Sequence, residues 1–353
     1  MCKRLRKVRN KTTIADIAKE LNTTAATVSR ALSNHPRISE ETKKSVHHAA
    51  SKLNYKRNRI ASSLRSGKSH LIGVIIPSAE INFFGSVVHG IESVANSNGY
   101  NVLLYQSNES REFEEKGLET FLSARVDGIL VSIAKGTHDF SHFREIKQRG
   151  IPIVFFDRAN DNLGIDSVVI DDYKGAFEAT KHLLIQGYRR VAHISGPAHL
   201  KNFNDRVRGY NDALIQFGIT PDSSLIYHGN VSIESGKEGT YHFLAMADPP
   251  DAIFAAEDFT ALGVIKAIKE RNIKMPEEFG VVGFANELFG EHISPTLSTI
   301  GQQTIQMGKS ALSLLLDSIE KRELKGDVQQ KIVLEPQLIW RSSSDRSGSL
   351  GKG

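Results

Sequence analysis

Residues 24–30, TAATVSR, combine small side chains with one long cation, a set that could contact DNA base pairs. The guanidinium of Arg30 could bond to O6 and N7 of guanine, and the methyl groups of Ala25 and Ala26 could pack on thymine methyls. The same residues could instead form an idle outer face of a small helical bundle. The basic setting of the segment favours the DNA interpretation.

A second set of polar and aromatic residues falls just after predicted β-strands, where parallel α/β sheets bind ligands. Aromatic, carboxylate, amide and guanidinium groups together suit a polyhydroxylated or ring-bearing ligand. Simpler roles compete with ligand binding: aromatics can be core, carboxylates can cap helices, and an arginine can pair with a neighbouring acid. The candidates are Ser78, Phe83, Phe84, Ser132, Asp157, Asp171, Asn202, Arg206, Asp258 and Asn286.

Motifs for catalysis are missing from the sequence. It has no G-x-x-x-x-G-K-[ST] or G-x-G-x-x-G phosphate loop, no H-E-x-x-H metal motif and no G-x-S-x-G nucleophile elbow. His47 and His48 are adjacent on a predicted helix and cannot face one ligand together. The single cysteine, Cys2, can form neither an internal disulfide nor a thiolate metal site, which is typical of a reducing compartment. We therefore predict a protein that is not an enzyme and needs no metal or cofactor.

Three short helices are predicted between residues 12 and 57, each preceded by a Ser or Thr N-cap and each carrying one apolar stripe. Because helices of this length are unstable alone, the three must share one core. The first two are joined by a tight turn at residues 22–23 and match a helix-turn-helix. Val28, Ala31 and Leu32 face inward, which directs Arg30 outward.

After residue 70, short apolar runs alternate with amphipathic helices, a pattern typical of parallel sheets covered on both faces. The number of βα units is too large for one small sheet. The predicted fold is therefore a small all-α helix-turn-helix head followed by an α/β body of two doubly wound parallel-sheet subdomains. The runs are LIGVII (71–76), NVLLYQ (101–106), GILVSI (128–133), PIVFFD (152–157), SVVID (167–171), RVAHIS (190–195), AIFAA (252–256) and FGVVGF (279–284).

Charge is divided unevenly along the chain. Residues 1–70 contain 17 Lys and Arg against 4 Asp and Glu, whereas the remaining 283 residues contain 28 against 36. A basic head on a mildly acidic body indicates a nucleic-acid partner, although an anionic membrane surface would attract the same residues. No apolar run approaches the roughly 20 residues that span a bilayer, and no signal-peptide core follows the basic N-terminus. These features predict a cytoplasmic location.

Residues 12–55 closely resemble the head of LacI-type repressors, the lactose and purine repressor family. The resemblance rests on T-x-x-D-x-A at residues 13–18 and on TVSRAL at residues 27–32, and it continues to about Trp340. It implies a body like the periplasmic binding proteins. It also implies a homodimer that binds a palindromic operator in double-stranded DNA under the control of a small, sugar-like effector.

The resemblance also implies roles for individual residues at the DNA. The outer positions of the second helix would read bases. Neighbouring hydroxyls would contact phosphates, which positions the head without specifying sequence. The base-reading positions are Ala25, Ala26 and Arg30, and the phosphate-contacting positions are Thr24, Thr27, Ser29 and Ser39.

In the family, the linker after the head folds on the operator as a hinge helix, and its leucine wedges into the minor groove. Here that linker is NRIASSLR (58–65), with Leu64 as the wedge followed by Arg65. The chain departs from the family at Arg57, where a proline is usual, and at Ser62, where an arginine is usual.

By the same resemblance, Phe83 and Phe84 stack on or close over the effector. The residues that would bind the polar groups of the effector are Ser132, Asp157, Asp171, Asn202 and Arg206. Three departures leave the effector's identity open. The family's G-[FY]-D is GFAN here, with Ala285 in place of the aspartate. Leu200 stands where purine-binding members have arginine, and Val231 where purine- and galactoside-binding members have an aromatic residue.

The sequence predicts the following segments. Residues 1–11 are a basic extension, 12–57 the DNA-binding head, 58–70 the hinge and linker, 71–341 the effector-binding and dimerisation body, and 342–353 a disordered tail. Within the body, the N-subdomain comprises 71–171 and 303–330, and the C-subdomain 172–302 and 331–341. We expect a dimer, because the C-terminal heptad helix of tetrameric members is missing. Three other classes compete with this interpretation: an enzyme, a periplasmic-type sugar receptor, and an activator instead of a repressor.

Overall fold

The computed structural model describes residues 12–55, 68–320 and 329–346. The chain divides into two compact units, residues 1–69 and residues 70–353. Each unit has its own core, so the head and the body are described separately. In the described part of the chain, no helix is long and apolar enough to cross a membrane.

The head consists of three helices, α1 (Ile14–Glu20), α2 (Ala25–Leu32) and α3 (Glu40–Lys52). Ile17, Val28 and Val46 contribute one fully buried side chain from each helix to a shared core. The predicted inward positions of α2 are therefore confirmed for Val28 and Ala31, both with no exposed surface.

Each head helix begins at the residue that the sequence predicted as its N-cap. The hydroxyls of Thr13, Thr24 and Ser39 accept hydrogen bonds from the backbone N–H three residues on. Asp16 completes a capping box, since its carboxylate accepts from the backbone N–H of Thr13 at 2.8 Å. Such caps stabilise a helix terminus by about 1 kcal/mol, which matters for helices of two turns.

The first sheet of the body has six parallel strands in the order β11-β5-β4-β3-β1-β2. Its central strands are buried along almost their whole length, as expected for a sheet covered by helices on both faces. The strands are β1 (Leu71–Ile76), β2 (Asn101–Gln106), β3 (Gly128–Val131), β4 (Ile153–Phe156), β5 (Asp166–Ile170) and β11 (Lys331–Leu334).

The second sheet has four parallel strands in the order β7-β6-β8-β9, and a short antiparallel pair joins β10 to β12. Two doubly wound subdomains are therefore present, as predicted. These strands are β6 (Val191–Ser195), β7 (Ile226–His228), β8 (Ala252–Ala255), β9 (Gly280–Val282), β10 (Thr299–Gly301) and β12 (Gln337–Ile339).

Eight helices cover the sheets in the described part of the body. They are α4 (Asn82–Ser97), α5 (Arg111–Ala124), α6 (Ser141–Gln148), α7 (Asp172–Ile185), α8 (Lys201–Gln216), α9 (Ile233–Leu244), α10 (Asp258–Glu270) and α11 (Thr304–Glu320). Helix α11 packs closely against α4, which precedes it by more than 200 residues. A Cβ at Gly308 would lie 2.0 Å from the carbonyl oxygen of Val87, so only glycine fits this crossing.

Two predicted boundaries are wrong. Residues 331–334 were assigned to the C-subdomain, but they form β11, which pairs with β5 of the first sheet. Residues 342–346 were assigned to a disordered tail, but Ser343 and Ser344 are fully buried. The hydroxyl of Ser343 donates to the carbonyl of Val281 at 2.7 Å and accepts from the N–H of Ser298 at 2.8 Å, which ties this segment to the second subdomain.

Candidate ligand-binding cavity and DNA-contact surface

A cavity of about 340 Å³ lies between the two subdomains of the body, at the carboxyl ends of β1, β4 and β8. This is the size of a small-molecule site. Its walls are Ser78, Glu80, Ile81, Phe83, Phe84, Glu109, Lys135, Asp157, Arg158, Asn202, Phe203, Arg206, Val231, Ser232, Ile233, Glu257, Phe259, Ala285 and Gln302.

Six of the ten candidate effector residues line this cavity: Ser78, Phe83, Phe84, Asp157, Asn202 and Arg206. The aromatic pair is largely buried, with ring centroids 5.0 Å apart and planes almost perpendicular. One wall is therefore apolar and rigid, and the remaining walls supply polar groups.

Four candidates do not line the cavity. Ser132 is fully buried behind it and donates to the Asp157 carboxylate at 3.0 Å. Asp171 caps α7, as the simpler interpretation suggested, and lines a second cavity of about 350 Å³. Asp258 is fully buried and accepts from the Thr299 hydroxyl at 2.6 Å.

Asn286 is the fourth of these residues, and its replacing the aspartate missing from GFAN is one of two ways to explain that departure, the other being a different ligand. Its side-chain oxygen instead accepts from Arg341 at 3.0 Å. The residue that reaches the cavity at this turn is Ala285. The proposed substitution of Asn286 for the family aspartate therefore does not fit the geometry.

Arg206 is held in one orientation by three neighbours. Its Nε donates to Asp172 at 2.9 Å, and another guanidinium nitrogen lies 2.7 Å from the same carboxylate oxygen. A third nitrogen donates to the carbonyl of Ala256. The guanidinium also lies over the ring of Phe284, 3.6 Å from its centroid. Arg206 thus both pairs with an acidic neighbour and lines the cavity.

Burial raises the pKa of Asp172 to about 7, against the opposing influence of the Arg206 guanidinium. Burial likewise raises the pKa of Asp157, which Arg158 and Arg206 partly offset. Charged forms are costly in such surroundings unless they are paired. Asp157 in the cavity wall and Asp172 behind Arg206 therefore take up protons more readily than exposed carboxyl groups.

A second ionic group, Glu109 with Arg158 and Lys135, forms another wall. Arg158 donates to the Glu109 carboxylate at 2.8 Å, and the backbone N–H of Lys135 donates to it at 2.7 Å. Although burial acts to raise the pKa of Glu109, Arg158 and Lys135 bring it below its usual value. Burial lowers the pKa of Lys135, whose ammonium is 3.8 Å from the Glu109 carboxylate.

Direct contacts join the two subdomains at the cavity. The Lys135 ammonium donates to the carbonyl of Asn230 at 3.0 Å, and the His199 Nε2 is 2.7 Å from the carbonyl of Lys135. On another side, the N–H of Phe83 donates to the Glu287 carboxylate at 3.0 Å. These bonds hold the two subdomains together around the cavity.

Four cavity residues in the described part of the chain, Glu109, Asp157, Val231 and Ala285, have a positive φ, which is unusual for residues other than glycine. Asp157 follows β4 with a φ of 60°, and Ala285 has a φ of 136°. Both values lie in the region that disfavours side chains with a Cβ and costs of order 1–3 kcal/mol per residue. Such conformations persist where the surrounding structure enforces them, as it does in functional sites.

The sequence analysis missed several cavity residues, most importantly Glu109, Glu257 and Gln302. Each follows a strand, so the rule that found the other candidates applied to them as well. Gln302 follows β10, a three-residue strand that was not predicted. Glu257 directly follows a predicted run and Glu109 stands three residues beyond one, while Ser78, two residues beyond its run, was correctly chosen.

The predicted DNA-contact residues share one region of the head. Ala25, Ala26 and Arg30 are exposed on α2, and the Thr24 and Thr27 hydroxyls are 2.9 Å apart at its N-terminus. Ser29 is partly exposed on the same helix, and Ser39 is exposed at the cap of α3. Leu64 and Arg65 lie outside the described residues.

Both units of the chain match models of known protein families. Residues 13–58 match the family model for bacterial regulatory proteins of the lacI family. Residues 69–334 match the model for periplasmic binding proteins and the sugar-binding domain of the LacI family. The two matches confirm the predicted head and body classes.

Three relatives illustrate the similarity. The HTH-type transcriptional regulator DegA of Bacillus subtilis is 34% identical over 95% of this chain and 98% of its own length. Catabolite control protein A of Priestia megaterium is 31% identical, over 90% of this chain and 96% of its own. A crystal structure of the lac repressor dimer bound to operator and an anti-inducer superposes with a TM-score of 0.83 at 25% identity, covering 95% of this chain and 99% of that one.

These relatives are transcription regulators, and none of them is described as an enzyme. The prediction of a non-enzymatic function is confirmed by them. With a head and a body that both match, the chain belongs to the LacI family of DNA-binding transcriptional regulators.

Proposed function

We propose that this chain is a cytoplasmic repressor that binds a palindromic operator as a homodimer, and that a small sugar-like effector in the body cavity changes its operator affinity. One observation carries the proposal. The cavity combines a rigid aromatic pair, Phe83 and Phe84, with an arginine whose position is fixed from behind by Asp172. Such a mixture of apolar and oriented polar groups is typical of sites for hydroxyl-bearing rings.

Operator recognition is assigned to the exposed face of α2. Arg30 is its one long cation, and Ala25 and Ala26 leave room for the base edges on either side. A bidentate contact with guanine contributes about 1–3 kcal/mol of discrimination. In a two-fold symmetric dimer, each half of the operator would carry one such guanine.

The test of recognition uses selection from random DNA, followed by binding of the selected site to the Arg30→Ala variant. We expect a palindromic site and a loss of about 1–3 kcal/mol that is confined to one base pair per half-site. Arg37→Ala, which removes an exposed arginine between α2 and α3, is the matched control. A non-palindromic site, or unchanged base discrimination in Arg30→Ala, would contradict the assignment.

Control by an effector requires that the ligand bind the DNA-competent arrangement and the alternative with different affinities. Arg206→Ala tests this directly by removing a cavity wall. Asp172 loses its partner in the variant, but its pKa is already about 7, so it can become neutral instead of leaving a buried charge. We therefore expect the variant to fold.

Operator titrations with and without a carbohydrate panel, together with calorimetry, give the readout. If the effector is an inducer, Arg206→Ala should bind the operator normally and no longer respond. If it is a corepressor, the variant should bind weakly under all conditions. Arg208→Ala, an exposed arginine one half-turn away, should behave as the parent. Unchanged ligand affinity in Arg206→Ala would refute the placement of the site.

A further inference from the structure

The cavity contains buried hydrogen-bond acceptors that have no partner. Asn202 and Gln302 are 7% and 5% exposed, and the side-chain oxygen of each makes no hydrogen bond within the described part of the chain. One carboxylate oxygen of Glu257 is in the same condition. Unpaired buried polar atoms are rare in folded proteins. The two amide oxygens indicate a ligand that supplies donors, and the Glu257 carboxyl group lacks a partner on one of its oxygens.

The cations of the cavity, by contrast, each lie next to a carboxylate already, and Arg158 is also 3.9 Å from Asp157. Arg206 pairs with Asp172, and Arg158 and Lys135 both face Glu109. The exposed carboxylate of Glu80 adds further negative charge at the wall. A phosphate or carboxylate on the ligand would therefore meet no uncommitted cation among the described wall residues.

Glu257, unlike the exposed Glu80, is a cavity acid at the start of a helix, and no cation of the described residues is bonded to it. One of its oxygens accepts from the N–H of Phe259 at 2.8 Å and caps α10. Burial, with the nearby carboxylates of Asp258 and Glu287, raises the pKa of Glu257 to about 8. The charge of Glu257 in turn acts to raise the pKa values of Lys135 and Arg158. Because its own pKa is raised, the carboxyl group of Glu257 is protonated at neutral pH until a cation reaches it.

We propose that Glu257 makes this cavity select an effector with a protonated amine on a polyhydroxylated frame, in preference to the neutral or phosphorylated compound of the same shape. The amine would donate to the Glu257 carboxylate, and hydroxyls would donate to Asn202 and Gln302. The carboxyl proton of Glu257 passes to the buffer as the ammonium binds, so the total charge of the cavity is unchanged. This inference rests on the proposed function, since it specifies the effector of the same site.

The experiment compares matched sugars by calorimetry on the full-length protein. The panel consists of glucosamine, galactosamine and mannosamine, their neutral parents, and the 6-phosphates of the parents. We expect the best amine to bind at least about tenfold more tightly than its neutral parent, the range of a charge-assisted hydrogen bond. The 6-phosphate should bind more weakly than that parent.

Two further measurements separate a direct role of Glu257 from a structural one. Binding enthalpies at pH 6.5 in buffers of different ionisation enthalpy should show release of about one proton per site. Glu257→Gln keeps an acceptor for the N–H of Phe259 and should abolish both the preference and the proton release. Glu234→Gln, an exposed glutamate on α9, should change neither.

The outcomes distinguish this inference from the proposed function. Tighter binding of a neutral or phosphorylated sugar, no binding by any of the three amines, or an unchanged preference in Glu257→Gln would overturn the amine preference. A neutral sugar that binds and shifts operator affinity would leave effector control standing. An operator affinity that responds to no compound would refute effector control itself.

Discussion

His193 lies in the centre of the second sheet and gives the body a defined sensitivity to acid. The imidazole has no exposed surface, stacks on Phe254 at 4.6 Å and on Tyr210 at 5.3 Å, and its Nδ1 is 2.9 Å from the carbonyl of Phe254. Burial lowers its pKa from 6.5 to about 3. The folded protein therefore holds His193 neutral over a pH range in which the unfolded chain binds a proton.

The sign of the effect follows from that difference. Between pH 6.5 and about 3 the unfolded state binds more protons at this site, so stability is lost as the pH falls through this window. At pH 5.0 the loss amounts to about 2 kcal/mol relative to pH 7.5. The raised pKa values of Glu257 and Asp172 act in the opposite direction, since these groups favour the folded state as the pH falls. A measurement on the parent alone would therefore not reveal the loss of stability caused by His193.

The assay is therefore a difference between variants. Urea unfolding of the parent and of His193→Phe, followed by circular dichroism at pH 7.5 and 5.0, should show that the variant gains about 2 kcal/mol relative to the parent on acidification. His292→Gln removes an exposed histidine and should show no such gain. If the difference between His193→Phe and the parent does not depend on pH, the imidazole is not held neutral by burial and the reasoning fails.

Three other substitutions test separate features. Leu64→Ala removes the wedge implied by the family resemblance, so specific operator affinity should fall while non-specific binding and its salt dependence stay constant; binding and bending like the parent would show that Leu64 is not a wedge. Gly308→Ala drives a Cβ into a backbone carbonyl of α4 and should cost about 3 kcal/mol in denaturant unfolding, whereas Gly85→Ala, with open space around it, should not destabilise. His199→Ala removes the bond to the Lys135 carbonyl across the cavity, so stopped-flow measurements should find faster ligand release; an unchanged rate would show that this bond does not retain the ligand.

The elements of the head and the long strands could be predicted because local patterns determine them. Caps such as Thr13 and apolar positions such as Val28 act within one or two helical turns. The strands β7 and β10 have only three residues each, too few for any periodicity to emerge. Residues 331–334 were placed in the C-subdomain because the strand that they pair with, β5, lies more than 160 residues earlier and nothing local identifies that partner.

The cavity was predicted in location and only partly in composition. Position after a strand identified Asp157 and Asn202 but could not tell which way a side chain points. Asp258 follows β8 as Glu257 does, yet Asp258 turns into the protein to bind Thr299 while Glu257 lines the cavity. Adjacent residues at the start of a helix face different directions, and only the three-dimensional structure shows which one reaches the cavity.

Because β11 lies late in the chain but belongs to the first sheet, that sheet can be completed only late in translation. The ribosome synthesises the first five strands of that sheet long before α11 and β11, with the whole second sheet in between. Until α11 emerges, the surface of α4 that closes around Gly308 stays uncovered. A nascent chain in this condition exposes apolar surface and an unpaired strand edge, both of which promote aggregation. We expect the head to reach its final form early in translation, and the N-subdomain to be completed only near the end of translation although most of it is made first.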